Sequence, residues 1–225
     1  MRKSRRAGLL RTKAPTLVEL FKNLNILACN SVGTTGTATP SLDVSAISTA
    51  TYYALLLTGK SLNIAKVTGS SISKLLYNTT DLPMVIEDGQ LSVDTSARGY
   101  YLLAASFPNY STQIVDAVFT NAGSSRIASK EQTGTARTGI NKSAFTAGHL
   151  CLAFVGTTYS SAPNRAFFYA AESSSFLTRI ISRNQDNNLN YSIYFDNGDS
   201  YLVDYTGGTT WKPCNAQGVF QLEDG

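Results

Sequence analysis

The sequence predicts an all-β protein, an antiparallel β-sandwich or jelly roll, preceded by a short amphipathic helix and a basic arm. Charged residues make up only 15% of the 225 residues, against about 25% in a typical globular domain. Short runs of alternating or branched apolar residues recur along most of the chain, which is the pattern of half-buried strands. Two pairs of these runs flank Asp-Gly or Asn-Gly, which favour tight hairpin turns.

The basic arm is the only concentrated charge in the sequence. Six cations and no acidic residue lie in the first 13 residues, and the remaining 13 basic and 15 acidic residues give the rest of the chain a net charge of −2. The candidate residues for binding nucleic acid or an acidic partner are Arg2, Lys3, Arg5, Arg6, Arg11 and Lys13. Three interpretations stay open: a solvated tail, an extension that runs along neighbouring subunits, and an arm that binds nucleic acid.

An amphipathic helix is predicted over residues 16–28. Thr16 and Glu19 have the spacing of a capping box, in which each side chain satisfies a free backbone donor of the other residue. The apolar residues that follow recur at helical spacing. This stripe either packs on its own domain or docks in a groove of a neighbouring subunit. The docking candidates are Leu17, Leu20, Phe21 and Leu24.

A linker is predicted over residues 30–41, because Gly, Thr and Pro occur there without an apolar period. The expected organisation is therefore two parts. Residues 1–41 form the arm, the helix and the linker, and residues 42–225 form the β-sandwich domain.

The β pattern is continuous after residue 50. Strands are expected in about ten runs, including residues 52–57, 61–68, 100–107, 113–120, 150–155, 166–170, 176–182 and 219–222. Hairpins are expected at Asp88-Gly89 and within residues 191–205. The polar stretch 121–143 is expected to be a long loop or a weak edge hairpin. No repeat of 20–50 residues is visible in the sequence.

The sequence predicts no enzyme and no cofactor. His149 is the sole histidine, and no third residue or local motif completes a nucleophilic site with the nearby Cys151. A structural histidine is therefore expected. The three cysteines, Cys29, Cys151 and Cys214, include no C-x-x-C pair, which excludes a disulfide scaffold and favours a reducing compartment at synthesis.

Two other motifs favour plain turns over binding sites. Residues 58–61, Thr-Gly-Lys-Ser, match the end of a P-loop, but Ala54 stands where the first glycine is required. Residues 196–199 offer oxygen ligands at a hairpin tip but lack the later glutamate of a calcium loop. No metal site is predicted.

The combination of basic arm, short helix, Thr/Gly linker and weakly charged β-body resembles virion structural proteins. One version is the tail, neck, fibre or decoration proteins of tailed phages, which are attached by N-terminal extensions. The other is small jelly-roll coat proteins of RNA viruses, whose Arg-rich arms face the packaged genome. The leading hypothesis from this resemblance is an assembly module, most consistent with a tailed phage, anchored to its neighbours by residues 1–28.

The resemblance implies partners and a location. The expected partners are other copies of the chain and other virion proteins, with packaged RNA or DNA at the arm. The protein is expected to be made in the host cytoplasm and to be located in the virion. The third hypothesis is a lectin-like module that binds host glycans, because the twelve tyrosines can stack on sugar rings. No membrane partner is expected, because no stretch has the roughly 18 apolar residues of a spanning helix.

Overall fold

The computed structural model describes residues 13–32, 41–58, 61–78, 84–93, 100–131, 139–141, 145–157, 165–173, 176–183, 190–196, 199–205, 211–212 and 214–225. Two α-helices and one short 3-10 helix lie in this part of the chain: α1 (Leu17–Lys22), η1 (Ser45–Ile47) and α2 (Thr112–Asn121). The strands of the first half are β1 (Asn25–Val32), β2 (Ser41–Asp43), β3 (Thr51–Thr58), β4 (Leu62–Thr68), β5 (Ser71–Asn78), β6 (Met84–Glu87), β7 (Gln90–Val93) and β8 (Tyr100–Ser106). Those of the second half are β9 (Gly123–Glu131), β10 (Gly139–Asn141), β11 (Leu150–Thr157), β12 (Arg165–Ser173), β13 (Phe176–Arg183), β14 (Asn190–Asp196), β15 (Asp199–Tyr205), β16 (Trp211–Lys212) and β17 (Cys214–Glu223).

These strands form two large and two small antiparallel sheets. The first large sheet has the order β1-β8-β3-β4-β5, and the second has the order β13-β12-β11-β17-β9. The first small sheet is β2-β7-β6, and the second is β10-β15-β14 with β16 beside β15. The all-β, antiparallel prediction is confirmed. Three consecutive strands form a meander in each large sheet, β3-β4-β5 and β11-β12-β13, and a later strand, β8 or β17, returns to lie beside the first of them. Each large sheet therefore contains the strand order of a Greek key.

The main core lies between the two large sheets. Buried side chains of the first sheet, such as Leu55 and Leu103, belong to the same apolar cluster as Leu152 and Phe220 of the second sheet. Both helices contribute to this cluster, so sheets and helices share one core.

The outer face of the first large sheet is covered as well. Leu42, Leu91 and Val93 of the first small sheet form a second apolar cluster with Leu56 and Leu102 of the large sheet. In the second half of the chain, β15 lies beside β11 and β17. A strand buried on both faces reads as a continuous apolar run, and the run Tyr-Tyr-Ala-Leu-Leu-Leu in β3 is such a case.

Both predicted hairpins are confirmed in their strand pairing. β6 and β7 pair in the register Glu87 with Gln90, and Asp88 and Gly89 adopt φ angles of +49° and +75° between them. Positive φ at both turn residues is what a type I′ turn requires. β14 and β15 pair from Asn190 with Tyr205 to Asp196 with Asp199.

The strand predicted over residues 113–120 is wrong, because these residues form α2. The side chain of Ser111 accepts a hydrogen bond from the backbone N–H of Ile114 and caps the helix. Val115 and Phe119, four residues apart, are the buried side chains of α2. The helical spacing of these two residues outweighs the branched, strand-favouring composition of the segment.

Residues 121–143 were predicted as a long loop or a weak edge hairpin, and the long loop is wrong for the first half of this stretch. Residues 123–131 form β9, which pairs with β17 along the edge of the second large sheet. An edge strand has one unpaired side, so it tolerates the polar and charged sequence Gly-Ser-Ser-Arg-Ile-Ala-Ser-Lys-Glu.

The predicted helix and domain boundary both need correction. α1 ends at Lys22, and Asn23 caps it by donating a side-chain hydrogen bond to the carbonyl oxygen of Glu19 at 2.9 Å. An asparagine that bonds the backbone in this way competes with continued helix. β1 then pairs with β8 in the first large sheet, so residues 16–32 belong to the β-body and the boundary at residue 42 is wrong.

Candidate functional site at the root of the arm

The basic arm joins the folded body at residues 13–16. Arg2, Lys3, Arg5, Arg6 and Arg11 lie outside the described residues, and the exposed Lys13 is the first residue that the structure describes. The root of the arm, residues 13–16, is therefore the part of the candidate site that the structure describes.

A reciprocal cap holds Thr16. The backbone N–H of Thr16 donates to Glu19 Oε2 at 2.8 Å, and the backbone N–H of Glu19 donates to Thr16 Oγ1 at 3.1 Å. The predicted capping box is confirmed. The hydrogen bond from the Thr16 backbone is the largest cause that lowers the pKa of the exposed Glu19 carboxyl. The hydrogen bond with the Thr16 side chain and the charges of Lys13 and Lys22 lower it further.

The C-terminal segment meets the same point. The backbone N–H of Leu17, a free donor in the first turn of α1, donates to Asp224 Oδ1 at 2.6 Å. A cavity of about 420 Å³ lies here, lined by Lys13 and Thr16 on one side, Val118 and Asn121 of α2 on another, and Asp224. The arm thus leaves the body beside both α2 and the last strand.

The four predicted docking residues are not available to a neighbour. Leu17, Leu20, Phe21 and Leu24 are 1%, 0%, 1% and 9% exposed and belong to the main core. The Phe21 ring packs against Phe107, Phe119 and Phe168 with centroid distances of 5.7, 6.1 and 5.4 Å. The alternative that the helix packs on its own chain is therefore confirmed, and subunit docking by these side chains is wrong.

A polar cluster that was not predicted joins α2 to the first large sheet. The hydroxyl of Tyr53 donates to Asp116 Oδ1 at 3.0 Å, and Lys66 forms an ion pair with Asp116 Oδ2. Burial, the hydrogen bond to Asp116 and its charge all raise the pKa of Tyr53. The signal for this cluster was the helical spacing of residues 112–119, which places Asp116 beside the buried Val115 and Phe119.

The structure does not assemble a nucleophilic site at His149 and Cys151. Cys151 is fully buried, and desolvation raises the pKa of its thiol to about 12, so it stays protonated at neutral pH. The Nδ1 atom of His149 is buried and makes no hydrogen bond. Within the described ranges, no group of three or more His, Cys, Asp and Glu residues has the arrangement of a metal site.

Thr58 and Ser61, the described residues of the P-loop-like run, lie where the paired strands β3 and β4 meet. Thr58 ends β3 and Ser61 precedes β4, and their hydroxyl oxygens lie 3.0 Å apart. The backbone N–H of Ser61 donates to Thr58 Oγ1 at 2.7 Å. The hydroxyl groups of Thr58 and Ser61 and the Ser61 N–H are therefore hydrogen-bonded to each other and not directed at a ligand.

Neither of the described α-helices has the length and apolar content to cross a membrane. The chain matches no family model. No curated protein and no solved structure matches it either.

Proposed function

We propose that the chain is a structural protein of a virion, in which the β-body is an assembly module and the basic arm binds the packaged nucleic acid. The separation of charge along the chain carries this proposal. All six cations of the first 13 residues stand without an acidic residue among them, whereas the rest of the chain has a net charge of −2. Such an arm suits a polyanion, because each phosphate that it neutralises releases a condensed counterion.

The proposal places partner binding on the arm and not on α1. The apolar face of α1 is used inside its own chain, so it contributes no free surface to a neighbour. The capping box and the Leu17–Asp224 hydrogen bond fix the point where the arm begins. An arm with a fixed root loses less entropy on binding than a freely hinged tail.

The test is the salt dependence of nucleic-acid binding. Fluorescence anisotropy with a labelled single-stranded RNA oligonucleotide should give a log–log slope against salt of about −4 if all six cations contact phosphates. The arm variant Arg2→Gln/Arg5→Gln/Arg6→Gln should reduce the slope to about −2 and weaken binding at low salt.

The matched control removes three exposed cations from the body: Lys22→Gln/Lys74→Gln/Arg126→Gln. This variant should bind with nearly the wild-type affinity and slope. The proposal fails if the two variants lose affinity equally, or if the wild-type chain does not bind at low salt. Either result would leave protein neighbours as the partners of the arm.

A further inference from the structure

Apart from η1 in the first half and β16 in the second, the two halves of the chain have the same order of described elements. Residues 16–107 contain a helix, a strand, a short strand, a three-strand meander, a hairpin and a final strand, and residues 111–223 contain the same series. In each half the final strand inserts between the first strand and the meander, giving β1-β8-β3-β4-β5 and β9-β17-β11-β12-β13. In each half the short strand pairs with the second strand of the hairpin, β2 with β7 and β10 with β15.

The strand registers match in detail. Leu27 in β1 and Ile127 in β9 are the extra residues of β-bulges, each opposite the final strand of its own half. The row beside each bulge crosses four equivalent strands in the same order. It reads Ile26, Ala105, Tyr53 and Lys66 in the first half, and Arg126, Phe220, Leu152 and Phe168 in the second. A bulge is a specific local feature, so its recurrence at the same place supports a common origin of the halves.

The two helices begin in the same way. Thr16 and Ser111 are extended N-cap residues with φ and ψ of −68° and 160°, and −69° and 153°. Each accepts a hydrogen bond from the backbone N–H three residues later. The residues four positions after the caps, Leu20 and Val115, are both buried.

The contacts between the halves are reciprocal. α1 of the first half lies beside β13 of the second, and α2 of the second half lies beside β5 of the first. Five residues after its cap, each helix meets the equivalent strand position of the other half: Phe21 packs on Phe168, and Asp116 pairs with Lys66. Exchange of equivalent contacts is the property of an interface with two-fold symmetry.

The connection between the halves has a non-covalent equivalent where the C-terminal segment meets α1. Phe107 ends the first half and leads through a turn, closed by the Tyr110 N–H to Phe107 carbonyl hydrogen bond at 3.0 Å, to the cap at Ser111. Leu222 has the equivalent place in the second half, and the hydrogen bond from Leu17 to Asp224 brings the following residues to the first turn of α1.

From these observations we infer that the chain is a covalently fused pseudo-dimer. Each half is one copy of a single fold unit, and the inner surface of each half fits a second copy of that unit. In a symmetric dimer of two separate units, the end of each unit would lie next to the start of the other at two equivalent places. In this chain residues 108–110 join the units at one of these places, and residues 224 and 17 lie side by side without a covalent link at the other. This inference does not depend on the proposed function.

Circular permutation of the whole chain tests it. One permutant joins Gly225 to Met1 and opens the chain between Pro108 and Asn109, at the connection between the halves. The control has the same joint but opens between Gly59 and Lys60, inside the meander of one half. The first permutant should fold cooperatively with a Tm within about 5 °C of the wild type, and the control should lose about 10 °C or more or fail to fold. A control as stable as the first permutant would overturn the inference.

A second test uses the equivalent contacts and does not need a permutant to fold. Lys66→Phe and Asp116→Phe together would replace the ion pair between α2 and β4 by an aromatic pair like that of Phe21 and Phe168. Each single variant should lower the Tm, and the double variant should recover several °C of that loss relative to the sum of the two. Additive losses would mean that Lys66 and Asp116 do not occupy the same positions as Phe168 and Phe21, and would contradict the inferred symmetry.

Discussion

At the scale of single residues, the ionisation of the buried Tyr53 phenol affects the stability of the folded protein. Its side chain is 2% exposed, and its hydroxyl donates to a carboxylate on α2. Desolvation is the largest cause that raises its pKa, and the hydrogen bond and charge of Asp116 add to it. Folding therefore favours the protonated phenol.

The pH dependence follows from the sign of this shift. The phenol ionises near pH 10 in the unfolded chain but only at higher pH in the folded chain. The contribution of Tyr53 is complete below about pH 10 and is lost as the pH rises towards its folded pKa, at up to about 1.4 kcal/mol per pH unit. Urea unfolding between about pH 9 and pH 11 should give a steeper fall in the free energy of unfolding for the wild type than for Tyr53→Phe. Parallel curves would contradict this account, since Lys66 is present in both proteins.

At the scale of elements, α1 shows how six residues are held as a helix. A free helix of this length is unstable in water, but Leu17, Leu20 and Phe21 are almost fully buried against strands and α2. The capping box and the cap at Asn23 close both ends. Tertiary packing therefore supplies most of the stability of α1.

Leu20→Ala measures this packing. Leu20 is 0% exposed, and removing a buried leucine should lower the free energy of unfolding by about 2–5 kcal/mol. The matched control is Ile114→Ala on α2, because Ile114 is 38% exposed and its truncation should change stability by about 0.5 kcal/mol or less. Urea denaturation of both variants gives the comparison. A Leu20→Ala loss as small as the control would mean that α1 is not part of the core.

At the scale of the whole molecule, the arm and the helix have different roles although they are adjacent in sequence. Removal of residues 1–12 takes away no described contact of the body. Removal of residues 1–24 takes away four buried apolar side chains, each contributing roughly 1.5–3 kcal/mol, which is comparable to the total stability of a typical domain, about 5–15 kcal/mol.

The two truncations should therefore behave differently. The chain without residues 1–12 should keep its β-type circular dichroism spectrum and its unfolding midpoint, whereas the chain without residues 1–24 should lose cooperative unfolding. Size-exclusion chromatography and urea titration of both proteins measure this. A stable protein after the longer truncation would restore residues 16–24 as candidates for docking to a neighbour.

Local features were predictable because their causes are local. Asp88 and Gly89 require only their own φ angles to make a hairpin turn, and Thr16 and Glu19 cap a helix through bonds three residues apart. The antiparallel β class follows from alternation within short runs. At the candidate site, the composition of the arm was readable from the sequence, but the position of its root beside Asp224 was not.

Tertiary structure decided the rest because the deciding partners are distant in sequence. Residues 112–121 become a helix because Val115 and Phe119 are buried in a core that includes Phe21 and Tyr53. The same core takes the apolar face of α1 away from any neighbour. The repeated architecture is hidden in the sequence, since equivalent positions can carry unlike side chains, such as the charged Lys66 and the aromatic Phe168. Backbone register can be kept while side chains change in compensating pairs. The symmetry of this chain is therefore visible in its strand pairing and not in its amino-acid sequence.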